Sequence, residues 1–175
     1  MKIQTEQIAI SGVLSALTLA LGATGIGFVP VPTPAGAATL MHLPVILAGI
    51  LEGPTVGAFV GFLFGLFTFR FLGDFRVVIP ARLLIGPAAY IVFAACRRAA
   101  WSIPAAAALG SAVNTVGTLA LAVTFGYIPL TSTGQTIGAI TIAAVQGIPE
   151  ALAAAVIVTP VVLAVRRVGF GNGPR

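Results

Sequence analysis

Polar and ionisable side chains interrupt otherwise apolar stretches of this sequence at His42, Arg82, Asn114, Gln146 and Glu150. Such groups cost free energy at membrane depth, where they usually face a cavity or one another. A guanidinium binds a carboxylate or a phosphate through paired hydrogen bonds, and side-chain amides bind the edges of amides and rings. The residue types therefore predict a binding site for a small polar molecule, with the arginine near its mouth attracting an anionic group.

The spacing of these residues places several of them on common helix faces, because residues four apart lie on one side of a helix. Three sets have this spacing: Arg82, Gly86 and Tyr90; Asn114 and Thr118; and Ile142, Gln146 and Glu150. We expect the three helices that carry them to surround a pocket open to the outside. In that pocket Tyr90 or Phe125 could stack on a flat part of the ligand.

Each polar residue also has a simpler interpretation. Arg82, near a helix end, could extend to the lipid headgroups, and Asn114 could form a hydrogen bond that only holds two helices together. His42, close to the outer mouth, fits a local hydrogen bond better than a metal site. Glu150 follows Pro149 and lies about 15 Å deeper than Arg82, so the two are not expected to pair. It could be a hinge residue, a protonated buried acid or a contact near the inner face.

The composition indicates what kind of chain carries these residues. Of 175 residues, 58% are hydrophobic and 7% are charged, and the mean hydropathy is +1.10, whereas soluble domains carry about 25% charged residues. This excludes a soluble, a disordered or a disulfide-stabilised fold, and Cys96 is the single cysteine. The net charge of +5 comes from basic residues at the edges of apolar runs, which indicates membrane orientation and no nucleic-acid partner.

The apolar runs predict an all-α polytopic membrane protein whose single domain, 1–175, contains six transmembrane helices in one bundle. Their predicted limits are about 8–28, 38–51, 55–72, 79–96, 103–127 and 136–165. Proline, glycine or charge marks each connection, for example the turn at Glu52, Gly53 and Pro54. The second helix is short and is not expected to cross the whole membrane core.

The basic residues predict that both termini are cytoplasmic. Six spans place the termini on one side, together with the connection after the fourth helix. That side holds Lys2, Arg97, Arg98, Arg166, Arg167 and Arg175, and the other holds Arg70 and Arg76, which Asp74 offsets. Lysine and arginine favour the cytoplasmic side of a membrane. The outer side then carries three short loops, 30–37, 71–78 and 128–135, which could act as a lid.

Small residues repeat every four positions in two helices. The stripes are Gly12, Ala16 and Ala20 in the first helix, and Gly53, Gly57, Gly61 and Gly65 in the third. Small residues let another helix approach closely. For the third helix this predicts packing within the bundle. For the first helix, packing and a docking surface for a partner membrane subunit are both open.

Several segments of the chain resemble one family. They are 41–49, 52–58, 61–65, 79–86, Asn114-Thr115 and Pro149-Glu150. In this order and spacing they resemble the substrate-binding S components of energy-coupling factor (ECF) vitamin transporters. The family commonly has a Pro-Arg pair in the fourth helix, whereas here Ala81 separates Pro80 from Arg82.

The resemblance implies an S component in the plasma membrane of a prokaryote, which binds a vitamin or related micronutrient from outside. The outer loops and helices 4 to 6 would enclose the ligand, which implies the following substrate-binding residues: His42, Arg82, Tyr90, Asn114, Thr118, Gln146 and Glu150. The face with Gly12, Ala16 and Ala20 would dock on the transmembrane coupling subunit. Two ATPase subunits would use ATP to topple this chain in the lipid bilayer, and the chain itself would need no cofactor and no metal.

The sequence also bears on other function classes. The sequence has no phosphate-binding Gly-x-x-x-x-Gly-Lys-Ser/Thr motif and no assembled nucleophile, base and orienting group, so we expect no enzyme. A small-solute channel and a non-transporting anchor subunit remain alternatives. Arg82, with Arg70 or Arg76 above it, favours an anionic ligand of the pantothenate or folate class, while riboflavin and cobalamin stay open.

Overall fold

The fold was analysed in a computed structural model that describes residues 5–30, 37–72, 74–96 and 99–167. Its elements in chain order are α1 (Thr5–Ala23), β1 (Phe28–Pro30), β2 (Ala37–Thr39), α2 (His42–Glu52), α3 (Pro54–Leu72), α4 (Phe75–Leu83), α5 (Ile85–Cys96), α6 (Ser102–Thr124) and α7 (Thr133–Arg167). Because α4 and α5 together form one 22-residue apolar unit, Phe75–Cys96, the described helices form the six predicted units. The all-α prediction is confirmed.

Length and composition divide these units into two groups. Three of the described helices are long and apolar enough to cross a membrane: Phe75–Cys96, Ser102–Thr124 and Thr133–Arg167. The shorter apolar helices are Gln7–Ala23, His42–Glu52 and Pro54–Arg70. Large apolar side chains such as Val13, Ile91 and Val156 remain exposed on the outside of the bundle. An apolar exterior of this kind is what a lipid environment requires.

The short helix α2 forms the centre of the bundle. Each of its eleven residues is buried, and it packs against α1, α3, α5, α6 and α7. A helix that is apolar all round is stable only when surrounded by other elements. The core around α2 includes Val45, Ile46, Ile50, Phe64 and Phe93.

The connection between α1 and α2 differs from the prediction. The first helix was expected to reach residue 28 and the second to begin at 38, but α1 ends at Ala23 and α2 begins at His42. Gly25 has a φ of +75°, a left-handed conformation that ends a helix and favours glycine. The chain then forms an antiparallel hairpin, β1–β2, in which Phe28 pairs with Thr39. Most of the predicted outer loop 30–37 lies outside the described residues.

The other helices also begin or end differently from the predictions. The α4–α5 unit begins at Phe75 instead of residue 79 because Asp74 caps it, accepting a hydrogen bond from the Arg76 N–H at 2.7 Å. It is interrupted at Leu84, where Pro87 cannot donate a helical hydrogen bond to the Leu83 carbonyl. Helix α6 stops at Thr124, short of the predicted 127, and α7 extends the predicted 136–165 at both ends.

The glycines of α3 are packing residues, as predicted. A methyl group built on Gly57 would lie 2.8 Å from the Cα atoms of Gly49 and Gly86. Gly61 faces the backbone carbonyl of Arg82. The absence of side chains therefore lets α2, α3 and the α4–α5 unit approach at backbone distance.

Candidate functional site

The register of α2 against α3 sets the depth of the site. Gly57 packs against Gly49, and Gly61 packs against Val45. This antiparallel register, continued along both helices, places Phe64 opposite His42. Phe64 is ten residues from the first residue of α3, or about 15 Å along a helix of about 28 Å. His42 therefore lies at the level of the middle of α3, and strand β2, which precedes it, reaches into the bundle.

Arg82 points into the bundle at this depth. Its side chain is 5% exposed, and its guanidinium lies over the Phe64 ring, 4.9 Å from the centroid. Its Nη1 donates to the backbone carbonyl of Asn114 at 3.3 Å and to the Thr118 hydroxyl. The interpretation that Arg82 extends to the headgroups is therefore wrong. Because α4 begins at Phe75, Arg82 lies about 10 Å from that end of the helix, whereas the predicted start at residue 79 would place it about 5 Å from the end.

Several buried polar atoms around Arg82 have no hydrogen-bond partner among the described residues. They are Nε of Arg82, Oδ1 of Asn114 and a ring nitrogen of His42, whose side chain is fully buried and has the Thr39 backbone within hydrogen-bonding range of its other nitrogen. The Asn114 side-chain oxygen thus lacks the helix-linking hydrogen bond weighed in its simpler interpretation. Buried polar groups in proteins are nearly always paired. A cluster of unpaired ones on α2, α4 and α6 is the pattern expected of a site that receives a polar ligand.

Glu150 joins three elements beside these atoms. Its side chain is 2% exposed; Oε1 accepts the backbone N–H of Thr39 at 2.7 Å, and Oε2 accepts the Thr115 hydroxyl at 2.8 Å. The carboxylate therefore links β2, α6 and α7. We call the set His42, Arg82, Asn114, Thr115, Thr118 and Glu150 the central polar cluster.

The charges of this cluster act on one another. The Arg82 guanidinium is within electrostatic range of both the Glu150 carboxylate and the His42 imidazole. Within the described part of the chain the two side chains form no ion pair, as expected, but the predicted depth difference of about 15 Å does not keep them apart. That depth was counted from the start of the last helix, but α7 has 35 residues, or about 52 Å. Since this exceeds the thickness of a bilayer, the position of Glu150 along α7 does not give its depth in the bundle.

The structure does not bring Tyr90 to the cluster. Its ring lies beside Gly53, at the turn between α2 and α3, and Tyr90 is eight residues, or about 12 Å, from Arg82 along the chain. Gly86, which the spacing placed between them on a pocket-lining face, packs instead against the backbones of Gly49 and Gly57. Gln146 is half-buried on α7, one turn before Glu150, and is engaged in an interaction.

Three residues of the site were not among those predicted. Phe64 supplies the ring under Arg82, Thr115 donates to Glu150, and Thr39 donates its backbone N–H. Thr115 follows Asn114 directly, so its position next to a predicted site residue was a usable signal. Phe64 is one of many phenylalanines in α3, and the Thr39 contact involves only the backbone, so neither had a signal in the sequence.

A second polar group lies at the α3–α4 end of the bundle. The Asp74 carboxylate accepts hydrogen bonds from the Tyr127 hydroxyl and from Arg76 Nη2, the latter at 3.2 Å. These hydrogen bonds hold the pKa of Asp74 below its ordinary value, and the bond from Tyr127 has the largest effect. The same carboxylate raises the pKa of Tyr127. The Arg76 guanidinium also covers the Phe125 ring, 5.2 Å from the centroid. Arg76 and Phe125 therefore contact each other, away from the central polar cluster.

The stripe on α1 faces away from the bundle. Gly12, Ala16 and Ala20 are exposed, and a methyl group added at Gly12 would meet no atom within 4 Å. The opposite side of α1 packs inward through Leu14 and Thr18. The stripe is therefore not used for packing within the described part of this chain.

The described residues contain no group of three or more histidine, cysteine, aspartate or glutamate side chains able to hold a metal ion.

Residues 6–162 match the family model described as ECF transporter, substrate-specific component. The matched segment includes the central polar cluster and the exposed stripe of α1. A search of the curated proteins returned no match.

Proposed function

The chain belongs to the substrate-specific components of ECF transporters, because the family model covers most of its length, and from this premise we propose that His42, Arg82 and Asn114 of its central polar cluster bind the transported substrate. The protein is thus a multi-pass membrane protein and a transport subunit, not an enzyme. Family membership also favours transport over the channel and anchor alternatives. The proposal concerns which residues bind and what they bind.

The observation that carries the proposal is the set of unpaired buried polar atoms on His42, Arg82 and Asn114. Leaving such atoms without partners costs about 1–3 kcal/mol each. A ligand that supplies an acceptor to Arg82 Nε, a donor to Asn114 Oδ1 and a polar edge to the His42 imidazole would recover this free energy. The Phe64 ring under the guanidinium keeps the arginine in place for such a ligand.

The charges favour a ligand with a single anionic group. Arg82 supplies one cation to the cluster, and the Glu150 carboxylate within its electrostatic range opposes additional negative charge. Arg76 is engaged by Asp74, and Arg70 is exposed at the end of α3. We therefore propose a water-soluble vitamin or related micronutrient with one carboxylate, as in the pantothenate class; folate, the other class expected from the sequence, carries two carboxylates and fits the charges of the cluster less well. Riboflavin and cobalamin are the alternatives.

The small molecule that copurifies with the protein tests this proposal. Membranes of a host grown on a mixture of vitamins are solubilised, and the purified protein is analysed by native mass spectrometry and, after denaturation, by liquid chromatography with mass spectrometry. We expect a stoichiometric small molecule with one acidic group, absent from the same preparation of Asn114→Leu. A neutral or multiply anionic ligand would contradict the charge argument. Retention of the same ligand by Asn114→Leu would contradict the site assignment.

We also propose that the exposed stripe on α1 docks on the transmembrane coupling subunit, to which two ATPase subunits bind. Its support is the exposure of three small residues at helical spacing, which lets a second helix approach closely. The basic residues Arg166 and Arg167 at the end of α7 are consistent with cytoplasmic termini in a prokaryotic plasma membrane. Lys2, Arg97, Arg98 and Arg175, which completed that argument, lie outside the described residues.

Bulky substitutions on the stripe should prevent assembly without unfolding this chain. We expect Ala16→Leu combined with Ala20→Leu to abolish copurification of the coupling subunit, because leucine side chains would hold the two helices apart. The measurement is affinity purification from cells that express all subunits. Ala120→Leu, an exposed alanine on α6, is the matched control. Unchanged copurification with the double variant would contradict the docking proposal.

A further inference from the structure

We propose that Glu150 is a positioning residue, which tethers strand β2 of the β1–β2 hairpin to α6 and α7 and does not itself bind the substrate. The importance of this contact for binding rests on the function proposed above, because β2 leads directly to His42, which is proposed to bind the ligand. The tether itself is a property of the chain without ligand.

Both carboxylate oxygens of Glu150 are engaged by the protein. Oε1 accepts the Thr39 backbone N–H, and Oε2 accepts the Thr115 hydroxyl. Hydrogen bonds to a buried carboxylate are short and strong, and Thr115 orients the group from the neighbouring helix. The position of the carboxylate is therefore determined by two protein contacts, whereas His42, Arg82 and Asn114 retain unpaired atoms.

The partner of Glu150 on the hairpin is a backbone group. Strand β2 has three residues, Ala37–Thr39, and pairs only with β1 among the described residues. A two-stranded hairpin is marginally stable by itself, so a contact to the bundle is needed to hold it in place. Glu150 provides a contact of this kind at the last residue of β2, three residues before His42.

The tether explains why an acid is present at a site proposed for an anion. A carboxylate near the ligand opposes additional negative charge, but the hydrogen bonds from an N–H and an O–H partly compensate the charge of Glu150. It also remains close enough to Arg82 to compensate the buried guanidinium when no ligand is bound. Removing the acid should therefore release the hairpin as well as change the electrostatics of the site.

The test measures how often strand β2 becomes exposed, from the rate at which a thiol buried on this strand reacts. In a Cys96→Ala background, Ala38→Cys places a thiol on β2 at a position that is buried in the wild type. The probe is N-ethylmaleimide, added to the purified full-length protein in detergent. We expect Glu150→Leu to raise the labelling rate at least about tenfold, and Thr115→Val to raise it less because the Thr39 contact remains.

Glu150→Gln provides the rescue. Its amide oxygen can accept from Thr39, and its amide nitrogen can donate to the Thr115 hydroxyl, so we expect labelling close to the wild-type rate. Thr124→Val is the matched control for Thr115→Val. Thr124 lies on α6, as Thr115 does, but it is exposed and its hydroxyl donates to the Ala120 carbonyl one turn earlier in the same helix. Equal rates in Glu150→Leu and wild type, or the same increase in Thr124→Val, would overturn the proposal.

Two further comparisons keep the outcome interpretable. If Glu150→Leu does not yield folded protein, the labelling rate of Thr115→Val is compared with that of Thr124→Val. Equal labelling rates in these two variants would overturn the proposal. Arg82→Gln in the same background separates ligand loss from tether loss. An increase as large as that of Glu150→Leu would show that bound ligand holds the hairpin, which also overturns the proposal. Since labelling requires no identified ligand, the tether can fail while the proposed substrate site stands, and the reverse.

Discussion

Arg82→Gln is expected to weaken binding of the copurified anionic ligand by about 100-fold or more. Truncating one partner of a buried, hydrogen-bonded charge pair costs about 2–5 kcal/mol, and each 1.4 kcal/mol is a tenfold change in affinity. Arg82 is buried, stacked on Phe64 and held by Thr118, so water does not screen its charge from a ligand inside the bundle. Titration calorimetry with the ligand identified by mass spectrometry provides the measurement.

Two variants are needed beside Arg82→Gln. Arg82→Lys keeps the charge but loses the planar fork and the stack on Phe64, so its affinity should fall between those of wild type and Arg82→Gln. Arg70→Gln removes one positive charge from an exposed position at the end of α3 and should leave affinity nearly unchanged. If Arg82→Gln binds the ligand as wild type does, the anionic group does not contact Arg82. An equal loss in Arg70→Gln would indicate long-range attraction instead.

Gly86→Ala is expected to destabilise the bundle strongly although it adds one methyl group. That methyl group would lie 2.5 Å from the Cα and carbonyl carbon of Gly57, and backbone atoms cannot rotate away as a side chain can. Overpacking of this kind costs about 1–3 kcal/mol or more, against a gain of roughly 1 kcal/mol when alanine replaces glycine in a helix. Thermal unfolding in detergent, with the monodisperse fraction after purification, provides the measurement.

Gly138→Ala is the matched control for Gly86→Ala. Gly138 also lies within a helix, but a methyl group there would meet no atom within 4 Å. Only the propensity gain applies, so this variant should be as stable as wild type or slightly more stable. If Gly86→Ala and Gly138→Ala unfold at the same temperature, the close contact between α3 and α5 is not what limits the stability of the bundle.

Much of the candidate site could be identified before any fold was known. His42, Arg82, Asn114, Thr118 and Glu150 are polar residues in apolar stretches, and the structure brings all of them together inside the bundle. The reason is general: a group that is costly to bury is retained in a membrane segment only where it has a partner or a ligand. The same rule also selected Gln146, which lies on the same helix as Glu150.

The incorrect predictions have a common cause: spacing along one helix does not give the distance between residues on different helices. Helical spacing placed Gly86 and Tyr90 on the face of Arg82, but close packing against Gly49 and Gly57 fixes which side of α5 turns inward. Depth counted along one helix separated Arg82 from Glu150, because the count assumed that every helix begins at the same level. Helix lengths of 9 to 35 residues make that assumption wrong.

The sequence by itself determined the environment, the class and the orientation signals of this protein. Low charge and long apolar runs require a lipid-facing exterior, and small residues four apart mark surfaces where helices approach, because these properties depend on composition and local periodicity alone. Only the tertiary structure decided how far strand β2 reaches into the bundle and that Thr39 meets Glu150 across 111 positions of the chain. A backbone N–H is the same in every residue other than proline, so its partner is set by the packing of the bundle and leaves no mark in the sequence.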